Sequence, residues 1–132
     1  MYSEYFPETF RQQTEWIAAH REELNIKFVI GLGDNVNDGD SETQWKNASE
    51  AMATLDKVGV PYAMAIGNHD YLHSKPPTRS APLFNRFFGK SRYVGKSWYG
   101  SSTYPAGTSE NFYVTLSMEG EKYLLLFLEY FP

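Results

Sequence analysis

Apolar positions recur at helical spacing over the first stretch of the chain. Between Pro7 and Asn25, Phe10, Ile17 and Leu24 fall seven residues apart, with Gln13 and Ala18 filling the same side. That stripe predicts one amphipathic helix, opened by a proline whose missing N–H costs nothing in the first turn. The run Ile26–Ile30 is short and β-branched and ends at Gly31, which reads as a buried strand. A polar loop follows over Gly33–Asp40. Helical spacing then returns: Trp45, Ala48, Met52 and Leu55 share one face of a predicted helix over Glu42–Val58, capped by Asp40 or Ser41 and stopped by Gly59. Val60–Ile66 is a second apolar run, with Pro61 tolerable only at the first residue of a strand or at an edge.

Strands alternating with helices of this length predict an α/β fold with a parallel sheet. Residues 71–109 break the pattern. They are rich in Pro, Gly, Ser and basic side chains, with one short predicted helix, Pro82–Phe88. Asn111–Met118 and Lys122–Tyr130 then read as two strands of a hairpin around Glu119-Gly120. The order is helix, strand, helix, strand, long loop, hairpin. We read residues 1–132 as a single domain in three parts: 1–70, 71–109 and 110–132.

Two loops carry candidate chemistry, and each directly follows a predicted strand. One is Gly33-Asp34-Asn35-Val36-Asn37-Asp38; the other is Gly67-Asn68-His69-Asp70. Ligand sites of open α/β sheets lie beyond the carboxyl ends of the strands, so Asp34 and Asn68 are expected to converge there. A carboxylate and an amide oxygen are hard donors suited to Mg²⁺ or Mn²⁺ and usable by Zn²⁺ or Fe. His69 sits beside a donor, where it can give a proton or a hydrogen bond to a phosphoryl oxygen. Either loop alone would pass as a simple turn former. Both together, at the ends of two apolar strands with a helix between them, point to a site. A calcium loop starting at Asp34 is excluded, because Val36 and Trp45 stand where oxygen donors are needed.

Composition narrows the field. Of 132 residues, 42% are hydrophobic and 21% charged, so the chain can build a core. The absence of cysteine excludes disulfides, zinc–thiolate sites and thiol nucleophiles. No apolar run approaches the ~20 residues of a membrane span, and the polar Tyr2–Pro7 opening does not read as a signal peptide. The net charge of −4 conceals a basic middle. Residues 71–109 hold no acid but six bases: Lys75, Arg79, Arg86, Lys90, Arg92 and Lys96. This balance argues against nucleic-acid binding. The basic segment reads equally as a solvated loop and as a rim that steers an anionic substrate. The aromatic cluster Tyr93, Trp98, Tyr99 and Tyr104 is either a cleft wall or a small core beneath the long loop, and we favour the core. His20 is expected on the surface of the first helix. The Asn47-Ala48-Ser49 sequon falls within a predicted helix and is treated as chance.

Gly33-Asp34 with Asp38, together with Gly67-Asn68-His69-Asp70, resembles the second and third signature blocks of the calcineurin-like metallophosphoesterases. The likeness extends to Gln13–Ile17, Leu24–Phe28, Gln44-Trp45, Phe87-Phe88-Gly89, Ser97–Gly100 and Leu126–Tyr130, and covers essentially the whole chain. The resemblance implies a four-layer α-β-β-α sandwich and two divalent metal ions, drawn from Mn, Fe, Zn or Mg. It implies that Asp34 bridges the metals, that Asn68 binds the second, and that His69 contacts the scissile phosphate. Asp38 and Asp70 would orient neighbouring groups, and His73 is a candidate contact to substrate. The implied activity is hydrolysis of phosphate mono- or diesters, and the implied setting is exported, secreted or periplasmic, with no membrane partner. Oligomeric state is left open.

The family's Asp-x-His or Asp-x-Gln block would end just before Met1, and its later histidine blocks would fall beyond Pro132. The chain is therefore expected to be the N-terminal half of a catalytic domain without its first strand, inactive alone and active as part of a parent phosphoesterase. The alternative is a truncated, non-catalytic remnant that serves as a binding or interaction domain.

Overall fold

The computed structural model describes residues 2–72, 80–100 and 107–129. In chain order the elements are α1 (Tyr2–Tyr5), α2 (Pro7–His20), β1 (Val29–Gly31), α3 (Glu42–Val58), β2 (Tyr62–Met64), α4 (Pro82–Phe88), β3 (Phe112–Met118) and β4 (Glu121–Phe127). Short 3₁₀ turns occupy Asn68–Asp70 and Lys90–Tyr93. β1 and β2 pair in parallel, with Ile30 opposite Ala63, while β3 and β4 form a separate antiparallel pair.

Local chemistry accounts for most boundaries. α2 gives way after His20 to hydrogen-bonded turns that end at Asn25, in the left-handed region at φ 52°. There the N–H of Ile26 donates to Arg21 and that of Asn25 to Glu22, a Schellman-type stop. α3 ends the same way at Gly59, whose φ is 72°. Both parallel strands are shorter than their apolar runs. Val29 N–H donates to the carbonyl of Pro61, but proline has no N–H to return, so the ladder begins at Val29 and Tyr62. Glu119 and Gly120, both at positive φ, close the hairpin between paired Met118 and Glu121, as a two-residue type I′ loop requires.

The buried stripe of α2 differs from the expected one. Leu24 is 52% exposed and Gln13 is exposed, while Thr14 is buried with its hydroxyl on the Ala51 carbonyl at 2.8 Å. α1, absent from the sequence reading, is tied to α3 where the Asn47 amide donates to the Ser3 carbonyl. Asn47, whose sequon was read as chance, is thus a structural side chain.

Two cores lie on opposite sides of β2. Tyr62 and Met64 join a helical core centred on Trp45, which is fully buried among Phe84, Phe87 and Phe88. Ala63, pointing the other way, joins Phe112, Val114 and Phe127 of the hairpin. Burial on both faces is what a parallel strand needs. Part of the stretch expected to be irregular also pairs: Gly100 N–H donates to Tyr113 and Thr115 N–H to Trp98, an antiparallel bridge onto β3. Tyr93 is buried and stacks on Tyr99 at 4.9 Å, so the aromatic cluster is core. Tyr104 lies outside the described residues.

The basic segment is partly structural. Arg92 donates to Asp56, to the hydroxyl and carbonyl of Ser49 and to Tyr62, and stacks on Phe88. Arg86 pairs with Glu42 at 3.4 Å. Arg92, held by this network, is not a free cation for an anionic substrate. Lys75 and Arg79 lie outside the described residues.

Candidate metal and phosphate site

Both sequence-derived loops leave the carboxyl ends of the paired strands and meet. Contact is closest at Gly67, where a Cβ would fall 2.2 Å from both the backbone nitrogen and Oδ1 of Asp34. Gly67 has an ordinary φ of −108°, so glycine is needed there for the closeness of the loops rather than for the turn. Gly33 differs, with φ 98° and Gly67 Cα only 3.0 Å from where its Cβ would stand. Asp34 itself adopts a left-handed φ of 50°, a conformation that aspartate tolerates better than most residues.

The site is built from backbone and side-chain hydrogen bonds. Asp34 Oδ1 accepts the His69 backbone N–H at 3.2 Å. Asn68 opens the 3₁₀ turn and is exposed. His69 is half-buried, and its Nδ1 bonds the Asn37 carbonyl at 3.0 Å. A carbonyl only accepts, so Nδ1 holds the proton. Asp70 is almost fully buried and ties the loops together. Its Oδ1 accepts Val36 N–H, and its Oδ2 accepts both Gly67 N–H and the Asn35 amide. Burial pushes the Asp70 carboxyl up to about 6, against those three hydrogen bonds; the neighbouring Asp34 charge raises it further. Asp38 Oδ1 accepts Asp40 N–H within its own loop. His73 lies outside the described residues.

Two further side chains hold the loops. Asn35 is buried and donates to the Ala65 carbonyl as well as to Asp70. Gln44, on the first turn of α3, accepts N–H groups from Asn37 at 2.8 Å and Asp38 at 3.1 Å through one oxygen. The visible sequence signal for both is an amide side chain beside an acidic, glycine-rich loop.

Residues 28–41 contain Asp34, Asp38 and Asp40 and no Lys or Arg, a charge balance that favours a cation. Asp34 and Asn68 fit a divalent cation as hard oxygen donors. Among the described residues no three His, Asp or Glu side chains converge on one point.

A family model for calcineurin-like phosphoesterases matches residues 7–128. The chain belongs to the calcineurin-like phosphoesterase family. Its members are phosphoester hydrolases that generally use divalent metals. Over 127 residues, 96% of this chain, it is 39% identical to the uncharacterized protein YvnB of Bacillus subtilis strain 168. The match spans 9% of that relative's length. No solved structure matches. Both loops lie inside the matched range.

Proposed function

We propose that this chain contributes one side of a two-metal site that hydrolyses phosphate mono- or diesters, within a four-layer α-β-β-α sandwich. The observation that carries the reading is the Asp34–His69 bond. It draws a candidate metal carboxylate and a candidate phosphate-contacting imidazole onto one edge of the parallel sheet. The layering is supported by β2, which has a helical core on one face and the hairpin core on the other.

Asp34 and Asn68 would hold the metals, Asp34 as the carboxylate shared between them. When bound, such ions lower the pKa of water and neutralise phosphate oxygens. The chain's own groups do the rest. His69 N–H fixes the rotamer of Asp34, Asp70 clamps the turn that presents Asn68, and the Asn37 carbonyl leaves His69 Nε2 for a phosphoryl oxygen. Asp38 and Asp70 orient these groups. We place His73 as a further substrate contact and an exported setting as the working compartment. Two donors are fewer than the about four to six a divalent cation takes, so the activity is assigned to the whole protein and not to this segment alone.

The test is Mn²⁺-dependent hydrolysis of a nitrophenyl phosphate ester by the whole protein. Asp34→Asn should abolish it; full activity in that variant overturns the reading.

A further inference from the structure

We propose that Gln44 is a positioning residue for His69, acting through the single peptide unit that joins Asn37 to Asp38. The inference rests on the reading of His69 as the group that meets the phosphate.

That peptide unit is held at both ends. Its N–H, on Asp38, donates to Gln44 Oε1 at 3.1 Å. Its carbonyl, on Asn37, accepts from His69 Nδ1 at 3.0 Å. A peptide unit is planar, so fixing the direction of the N–H fixes that of the carbonyl. The same Gln44 oxygen also takes the N–H of Asn37 at 2.8 Å. Two consecutive amides converging on one oxygen remove the freedom of the unit to swivel. Two N–H donors also settle which end of the Gln44 amide faces the loop, because only oxygen can accept both.

Gln44 is a rigid anchor. It is buried on the first turn of a helix, beside a fully buried Trp45 whose indole N–H donates to Gly39 at 3.0 Å. Residues 37 to 39 are thus pinned to α3 at three points. With Nδ1 committed to the Asn37 carbonyl, Nε2 carries the lone pair of the neutral ring or the second N–H of the charged one. Either way Nε2 is the nitrogen left for a ligand. A helix residue, at one peptide's remove, therefore sets which face of the imidazole does the chemistry.

The experiment is long-range ¹H–¹⁵N NMR of the 132-residue chain with labelled histidine, recorded at alkaline pH on the neutral ring. The native chain should show one His69 tautomer, protonated at Nδ1. Gln44→Leu should mix the tautomers and speed amide exchange of Asn37 and Asp38 about ten-fold. Gln44→Glu keeps an acceptor oxygen and should retain the native pattern. Mixed tautomers in the native chain, a single Nδ1–H tautomer in Gln44→Leu, or a Gln44→Glu spectrum lacking the native pattern each overturns the proposal. If Gln44→Leu does not fold, the native and Gln44→Glu spectra decide it. No readout involves hydrolysis, so failure here is separate from failure of the phosphoesterase reading.

Discussion

The Asn35 side-chain amide donates to Asp70 Oδ2 and to the Ala65 carbonyl, both at 2.8 Å, and so ties the end of one strand to the loop that follows the other. Asn35→Ala leaves a buried carboxylate and a carbonyl each short of a donor. It should destabilise the fold by about 1–3 kcal/mol, read as a lower urea midpoint. A midpoint equal to the native one would mean the two groups find other partners.

Asp70 makes stability depend on pH. Its folded-state value of about 6 stands above the ordinary 3.8. The folded chain therefore holds this proton more tightly than the unfolded one. Between these values the folded state binds more protons, so the contribution is present below the lower value and lost as pH rises through the upper. In metal-free chain, the native-minus-Asp70→Asn difference in unfolding free energy should fall from pH 4 to pH 7. A flat difference across that window would contradict the burial account.

Two glycines separate two causes of intolerance. Gly67→Ala collides with Asp34 at an ordinary φ, and should cost about 1–3 kcal/mol through overpacking. Gly59→Ala has open space but a φ of 72°, and should cost about 1 kcal/mol through backbone strain. Only the first should also shift the NMR signals of Asp34 and His69.

Arg92→Lys keeps the charge and loses the fork that spans Ser49, Asp56 and Tyr62. A loss of about 2 kcal/mol is expected in thermal or urea unfolding. A silent substitution would return Arg92 to the solvated or steering role that its sequence context left open.

Helices α3 and α4 were legible because each carries its own signals. α3 has an apolar stripe and a terminal glycine, and α4 has a proline start ahead of Phe84 and Phe88. The strands were found but overdrawn, since a pairing partner and not local apolarity decides where a ladder stops. α1 and the 98–100 bridge were not legible: one hangs on Asn47, the other on β3. Asp34, Asn68, His69 and Asp70 could be picked out because two short contiguous motifs bear them. Gln44 was missed as a holding group because the nearby loop must first fold back over its helix, and Asn35 because its role exists only once distant backbone arrives. Arg92 was misread for the same reason, its carboxylate partner lying far back in the chain.

Gln44 and Trp45 are neighbours on one helical turn, yet one grips the loop and the other fills the aromatic core. Loop and core thus share a mechanical joint, and neither can loosen without dragging the other. On heating, the near-ultraviolet signal of the packed rings and the ordering of the Asn37–Gly39 stretch should vanish in one transition. The acidic loop would then melt with the globule, as a cooperative part of it and not as a fringe.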